Sequence, residues 1–323
     1  MIAGKHGQKT DQKANGNILH DLSRLPIFLL AGGHEEGRAN CGRALMDELA
    51  KRSLTGIILR RDDRCHLSTL ALMASRYDVV VVNSDLQVPE QPMTLATLPE
   101  LDSGDTQWVL SLQARPAEYI PELVAKLADY GNRTPVWGCI LIGGKSSRMG
   151  RPKHLLQDKE GKTWLENSLT TLRPLLDGLV VSGGGDLPST VSGIPRIPDI
   201  PGVAGPLTGI LAVGRWQPLV SWLLVACDMP YISLDAVTWL LAGRRPGCWG
   251  RIPKMAGNDR LEPLLAWYDF RAMHLFEDQA YRGNLRIGEA AANMRMERPI
   301  IPETLCNAWK NINTPRELHD VER

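Results

Sequence analysis

The chain has 323 residues, a length that favours two domains over one. Its 37 basic and 36 acidic residues leave a net charge of +1, so the overall charge calls for neither nucleic acid nor an anionic membrane as a partner. Hydrophobic residues make up 43% of the chain, but no run of about 18 apolar residues occurs, and no membrane span is predicted.

The first 24 residues are polar and lack the apolar stretch of a secretory signal, so we predict a disordered tail over residues 1–24. The cysteines form no Cys-x-x-Cys pair, and none has a histidine at zinc-site spacing. Scattered thiols of this kind are typical of a reducing compartment, and we expect a cytoplasmic protein. The six are Cys41, Cys65, Cys139, Cys227, Cys248 and Cys306.

Two segments have the pattern of a buried parallel strand that ends in a glycine turn. Residues 25–33 and residues 137–144 are each a continuous apolar run that closes with Gly-Gly. A polar, turn-forming stretch at residues 128–135 separates them. We therefore predict an N-terminal domain over residues 25–133 and a C-terminal domain over residues 136–323.

In the N-terminal domain, strands alternate with helices, which predicts a small, doubly wound parallel α/β domain. Helices are predicted over residues 42–53 and 117–130, and the later strands over residues 56–59, 77–83 and 107–110.

The segment Gly37–Ala44 has the glycine spacing of a phosphate-binding loop. Arginine stands at Arg43 where such a loop has lysine, and Ala44 replaces the hydroxyl that binds Mg²⁺. Asp78 begins a later strand of the same domain. These features predict a degenerate, P-loop-like domain that has lost nucleotide hydrolysis; an unrelated α/β domain is the alternative.

The C-terminal domain has clearer signals for the ends of its elements. Thr163 and Glu166 form a predicted capping box, Gly205-Pro206 opens a second helix, and Ser233 caps a third. Buried strands are predicted at residues 137–144, 178–182 and 221–227. This βαβαβ order predicts a doubly wound sheet with its ligand site at the carboxyl ends of the strands.

The loop that leaves the first of these strands carries the features of a phosphate site. Gly143 and Gly144 let backbone amides approach a ligand, and Arg148 and Lys153 can neutralise phosphate charge. A glycine turn followed by a solvated basic stretch is the simpler interpretation of this segment alone.

Two aspartates are candidates for the same edge of the sheet. Asp228 directly follows a buried strand, where a carboxylate can hold Mg²⁺ together with substrate phosphates. Asp199 precedes the helix that Gly205-Pro206 opens. The simpler interpretations are a helix N-terminal aspartate and a loop aspartate.

Four motifs together resemble the molybdenum cofactor guanylyltransferase family, which belongs to the nucleotide-diphospho-sugar transferase-like folds. The resemblance covers about residues 136–320, and its signature L-x-G-G-x-S-x-R-M-G-x-x-K is matched at every fixed position. The matching segments are Leu141–Lys153, Gly205–Gly209 (G-P-L-x-G), Cys227–Pro230 (C-D-x-P) and Asn311–Leu318 (N-x-N-T-P-x-[ED]-L).

The resemblance implies a role for each matching position and a Rossmann-like fold for the domain. It implies catalytic roles for Arg148, Lys153 and Asp228, with Asp228 holding Mg²⁺. It also implies that the nucleotide contacts Leu141, Gly143, Gly144, Lys153, Asp199 and Asp228.

The implied reaction transfers GMP from GTP to the phosphate of molybdopterin and releases pyrophosphate. The related cytidylyltransferases resemble L-A-A-G at this loop, so Gly143 favours GTP over CTP. Ser182 departs from the family, which often has asparagine there as a nucleotide contact.

The N-terminal domain is similar to the GTP-binding partner protein of molybdopterin-guanine dinucleotide synthesis. That likeness implies docking of molybdoenzyme apoproteins or their chaperones. Transfer of CMP or another nucleotide, and a non-catalytic adaptor in molybdoenzyme maturation, are the alternatives for the whole chain.

Overall fold

The computed structural model divides the chain into two compact units, one up to Arg133 and the other from Thr134 onward. The structure describes residues 25–31, 34–59, 67–84, 93–97, 106–111, 115–143, 151–257, 259–314 and 316–318. Both units are α/β, with sheets in which parallel pairing predominates.

The N-terminal unit contains a five-stranded sheet in the order β2-β3-β1-β5-β4. Its strands are β1 (Ile27–Ala31), β2 (Gly56–Leu59), β3 (Val79–Ser84), β4 (Met93–Thr97) and β5 (Thr106–Ser111). All neighbours pair in parallel except β4, which runs antiparallel to β5 at the edge. The parallel strands are rich in β-branched and aliphatic residues, whereas β4 has less of this pattern and was missed by the sequence analysis.

The described residues of this unit include the helices α1 (Glu35–Ala50), α2 (Leu67–Ala74) and α3 (Pro116–Arg133). Helix α1 contains the whole of Gly37–Ala44, so the prediction of a phosphate loop there is wrong. The reason is helical periodicity, since the buried residues of α1 recur at Arg38, Gly42, Leu45 and Leu49. The likeness of the whole unit to the GTP-binding partner protein stays a prediction.

Asp78 lies just before β3, at the end of the sheet opposite to the carboxyl ends of its parallel strands. Its carboxylate is buried and accepts hydrogen bonds from the amide and the hydroxyl of Thr55, at 2.8 and 2.9 Å. These bonds tie the start of β3 to the residue before β2, which is a structural role.

The C-terminal unit contains a seven-stranded sheet in the order β12-β10-β11-β9-β6-β7-β8. Its strands are β6 (Val136–Leu141), β7 (Gly178–Ser182), β8 (Arg196–Ile197), β9 (Ser221–Ala226), β10 (Gly250–Arg251), β11 (Ala266–Tyr268) and β12 (Met296–Glu297). Strands β6 to β9 are parallel, and β11 joins antiparallel to β9. Because β7 and β9 flank β6, the strand order reverses at β6, which places a crevice at the carboxyl ends of β6 and β9.

Helices cover both faces of this sheet: α4 (Trp164–Leu172), α5 (Pro206–Trp216), α6 (Leu234–Leu241) and α7 (Met273–Tyr281). One core layer packs α5 and α7 on the face that carries Trp222 and Leu224. The other packs α4 and α6 on the face that carries Leu223 and Val225. This alternation along β9 makes the strand apolar throughout, as expected for a strand buried on both faces.

The ends of the predicted helices follow their capping signals. The Thr163 hydroxyl accepts from the Glu166 amide and the Glu166 carboxylate accepts from the Thr163 amide, which confirms the capping box. Ser233 caps α6, and Pro206 is the first residue of α5. Across the described part of the chain, no helix combines the length and apolar character needed to cross a membrane.

The loops after β6 and β7 meet at Gly183, where only glycine fits. Gly183 has φ +118°, and a Cβ atom there would lie 1.7 Å from the carbonyl oxygen of Ile142. The amide of Ile142 in turn donates to the carbonyl of Ser182 at 2.8 Å. Because the contact joins backbone to backbone, neither side can move aside, and the residues that directly follow β6 and β7 are fixed against each other.

We expect Gly183→Ala to lower the free energy of unfolding by about 2 to 5 kcal/mol, from backbone strain plus overpacking. Chemical denaturation of the purified chain measures this change. Gly184→Ala is the matched control, because a Cβ there would meet nothing within 4 Å. Equal stability of the two variants would contradict the close approach at Gly183.

Candidate active site

A cavity of about 760 Å³ opens at the carboxyl ends of the strands of the C-terminal unit. Its lining comes from the ends of β6, β7 and β9, from the start of α5, and from the segments at 260–264 and 311–313. The cavity therefore occupies the crevice that the reversal of strand order at β6 produces.

Lys153 and Asp228 form an ion pair in this cavity. The Lys153 Nζ atom lies 2.8 Å from the Oδ2 atom of Asp228, and the two side chains are only 15% and 20% exposed. The same ammonium group donates to the Oδ1 atom of Asn313 at 2.7 Å. A cation and an anion thus meet at the end of β9, held in place by a third side chain from near the C-terminus.

The segment that supplies Asn313 is itself fixed by two sets of backbone contacts. The Ile312 amide donates to the Asp228 carbonyl at 3.0 Å. The Glu317 carboxylate accepts from the amides of Asn313 and Thr314 at 2.7 and 2.9 Å. These amides hold the pKa of Glu317 below its usual value, the Asn313 amide contributing most, so the carboxylate stays charged and keeps the turn closed.

Backbone and a helix N-terminus form another part of the cavity lining. Leu141, Ile142 and Gly143 line the cavity, and Gly143 has φ +126°, a conformation that favours glycine. Helix α5 begins at the cavity, and Gly205, Pro206, Thr208 and Gly209 line it. The amides and dipole of a helix N-terminus favour a negatively charged ligand at this position.

Two of the residues that line the cavity each have a polar atom that is shielded from solvent and has no hydrogen-bond partner among the described residues. These atoms are the Oγ atom of Ser182, at the end of β7, and the Oδ1 atom of Asn311. An unsatisfied buried polar atom costs free energy, and a polar ligand in the cavity would remove that cost.

The wall opposite β6 is built by residues 260–264, which lead into β11. The Glu262 side chain is largely buried here, and burial raises the pKa of its carboxyl group, with Arg260 acting in the opposite sense. Leu265, the next buried residue, has φ +54°. A left-handed leucine is strained by about 1–2 kcal/mol, and it redirects the chain from the strand into the cavity wall.

Cys227 lies between β9 and Asp228, but its chemistry is suppressed. Burial, with a smaller contribution from the charge of Asp228, raises the pKa of its thiol to about 12. The thiol therefore stays protonated at neutral pH, and a thiolate nucleophile does not form at this position.

Comparison with known proteins assigns the C-terminal unit to a family. Residues 138–291 match the MobA-like NTP transferase domain. The molybdenum cofactor guanylyltransferase of Cupriavidus taiwanensis is 31% identical over 197 residues, which cover 59% of this chain and 98% of that protein. The same-named protein of Nitrobacter hamburgensis is 36% identical over 58% of this chain and 94% of its own length.

The chain belongs to the molybdenum cofactor guanylyltransferase family. Among solved structures, it is similar to the molybdopterin-guanine dinucleotide biosynthesis protein A of Archaeoglobus fulgidus. That likeness has 25% identity and a TM-score of 0.48, and covers 58% of this chain and 96% of the other.

Most of the residues to which the family resemblance assigns a role line this cavity. These are Leu141, Gly143, Lys153, Asp199 and Asp228. Gly144 and Arg148 lie outside the described residues, so their roles stay predictions. Lys153 and Asp228, which are far apart in sequence, are brought into contact here.

Sequence reasoning missed the contributions of Asn313 and Glu262. The signal for Asn313 was present, because it belongs to the quoted N-x-N-T-P motif, yet that motif was given no role. For Glu262, none of the four motifs covers the position. The carboxylate faces the cavity because of a backbone turn at Leu265, which no sequence pattern in this segment reveals.

Proposed function

We propose that this chain transfers GMP from GTP to the phosphate of molybdopterin, with release of pyrophosphate and dependence on Mg²⁺. The observation that carries the proposal is the Lys153–Asp228 pair, whose charged atoms are 2.8 Å apart in the cavity at the carboxyl ends of β6 and β9. Membership of the guanylyltransferase family supports the choice of guanine nucleotide and molybdopterin.

The donor set at this position fits Mg²⁺. Asp228 supplies carboxylate oxygens, and within the described residues no group of three or more potential metal ligands occurs. An ion here would therefore take most of its ligands from phosphate oxygens and water, which is the usual coordination of Mg²⁺. When bound, it would neutralise phosphate charge and polarise the phosphorus–oxygen bonds.

The residues of this chain act on the reaction by positioning and by charge. An oxygen of the molybdopterin phosphate forms a bond to the α-phosphorus of GTP, and the bond to the pyrophosphate oxygen breaks. The ammonium group of Lys153 and the N-terminus of α5 stabilise the negative charge on the phosphate groups. Phosphoryl-type transfer requires little more than this, and Arg148 is proposed as an additional cation.

The assay that tests the proposal measures pyrophosphate release by the purified chain with molybdopterin and either GTP or CTP. We expect release with GTP and Mg²⁺, release at least about tenfold slower with CTP, and none after chelation of Mg²⁺. A preference for CTP would assign the chain to cytidylyl transfer. An absence of turnover with every nucleoside triphosphate would favour the adaptor alternative.

We expect Asp228→Asn and Lys153→Met each to reduce turnover at least about a hundredfold, because each removes a charge that faces the phosphates. The free energy of unfolding should fall by no more than about 2 kcal/mol, since the pair is partly exposed. Asp235→Asn, an exposed residue in the first turn of α6, is the control for charge removal and should turn over normally. Native turnover by Asp228→Asn would rule out Asp228 as the metal ligand.

We propose that the unpaired Ser182 hydroxyl contacts the nucleotide in place of the family's asparagine. Ser182→Ala should then raise the KM for GTP about threefold to tenfold with little change in kcat, the loss of one hydrogen bond. Ser221→Ala is a matched control, because its hydroxyl is also buried and unpaired but lies at the opposite end of β9. An unchanged KM in Ser182→Ala would mean that the contact is lost in this chain.

No step of the transfer is assigned to the N-terminal unit, since every residue that lines the cavity belongs to residues 134–323. For that unit, docking of molybdoenzyme apoproteins or their chaperones stays a proposal based on likeness, as does cytoplasmic location for the whole chain.

A further inference from the structure

The order of the sheet divides the cavity into two halves, with Asp228 between them. Leu141, Ser182 and Asp199 belong to the half that β6, β7 and β8 build. Glu262 and Leu264 belong to the half on the side of β11, which is the other neighbour of β9. A reaction that joins two substrates at the metal-holding residue needs one substrate in each half.

The β11 half presents hydrogen-bond acceptors that lack donors. The Glu262 side chain is only 13% exposed, and its closest cation, the mostly exposed Arg260, lies 3.9 Å away. Within the described part of the chain, its carboxylate accepts no hydrogen bond. Burial raises the pKa of Glu262, which means that the charged form of its carboxyl group lacks stabilisation. A ligand with N–H donors would stabilise that charged form.

The surroundings of Glu262 also suit a flat ring. Leu261, Pro263 and Leu264 line the cavity beside it and provide apolar surface without further donors or acceptors from their side chains. A heterocycle with apolar faces and an N–H edge matches this combination of one carboxylate and three apolar side chains.

The backbone on both sides of Glu262 is held rigidly. Its own amide donates to the Pro253 carbonyl at 2.8 Å, and the Tyr268 hydroxyl donates to the Pro263 carbonyl at 2.8 Å. The amide of the strained Leu265 donates to the Leu224 carbonyl at 2.7 Å, and the Leu265 carbonyl accepts from the Trp309 indole N–H at 2.9 Å. A carboxylate on so fixed a backbone is preorganised for binding, since little freedom remains to be lost there.

We propose that the Glu262 carboxylate binds the ring N–H and the exocyclic amino group of an aminopyrimidinone, the ring that pterin and guanine share. Two adjacent N–H donors match the two oxygens of one carboxylate. The position of Glu262 in the β11 half favours the pterin of the acceptor over the guanine of the nucleotide. This inference rests on the proposed function for the identity of the two substrates.

The test compares ligands that differ by the exocyclic amino group. Dissociation constants are measured by fluorescence for pterin and for lumazine, its dioxo counterpart, and by calorimetry for GTP and ITP. We expect the wild-type chain to bind pterin at least about tenfold more tightly than lumazine. In Glu262→Gln the preference for pterin should fall below about threefold, while the preference for GTP over ITP stays unchanged.

Steady-state kinetics supply a second readout. Glu262→Gln should raise the KM for molybdopterin about tenfold and leave kcat within about twofold, as expected for a group that binds the acceptor away from the reacting atoms. Asp259→Asn is the matched control. It also removes one carboxylate charge, but Asp259 lies three positions before Glu262 and its own side chain is 99% exposed. It should change neither the ligand preferences nor the KM.

Each outcome decides one question. If Glu262→Gln loses only the preference for GTP over ITP, then Glu262 binds an aminopyrimidinone ring, but the ring is the guanine of the nucleotide. Unchanged preferences in Glu262→Gln, or equal binding of pterin and lumazine by the wild-type chain, would overturn the proposal. Failure of the proposed function appears separately, as an absence of pyrophosphate release from GTP with molybdopterin in the wild-type chain.

Discussion

The contact between the ammonium group of Lys153 and the carboxylate of Asp228 is the interaction on which the proposed chemistry of the C-terminal unit depends. It joins Lys153, in the segment after the loop that follows β6, to the end of β9. The side chain of Asn313 accepts a hydrogen bond from Lys153 and so ties a third segment, near the C-terminus, to the pair. The two opposite charges neutralise each other at a position that is only 15% and 20% exposed, and in the proposed reaction the phosphates would compete for the same groups. The same groups can thus stabilise the ligand-free cavity and bind the ligand.

The sequence could predict this pair because parallel α/β sheets impose a simple rule. Residues after the carboxyl ends of neighbouring strands meet, and both Lys153 and Asp228 follow such strands. The capping residues Thr163 and Ser233 were also predictable, since caps are local. Glu262 could not be placed in the same way, because its position depends on antiparallel pairing of β11 with β9 and on the left-handed Leu265.

The error in the N-terminal unit has a similar physical origin. Glycine spacing alone does not distinguish a phosphate loop from a helix that packs closely on a sheet. Gly42 belongs to the second case: a Cβ there would lie 2.5 Å from the Cδ1 atom of Ile58, so the missing side chain lets α1 approach β2. The buried positions of α1, spaced three and four residues apart, were the signal that could have corrected the interpretation.

The backbone contact between Ile142 and Gly183 restricts how this pocket can be altered. Any residue other than glycine at 183 would displace the turn that contains Gly143, so a library that varied position 183 would yield mostly misassembled pockets. A Cβ at the neighbouring Gly184 would meet nothing within 4 Å, so the restriction is confined to position 183. Engineers who wish to vary the residues around this cavity should therefore keep position 183 constant.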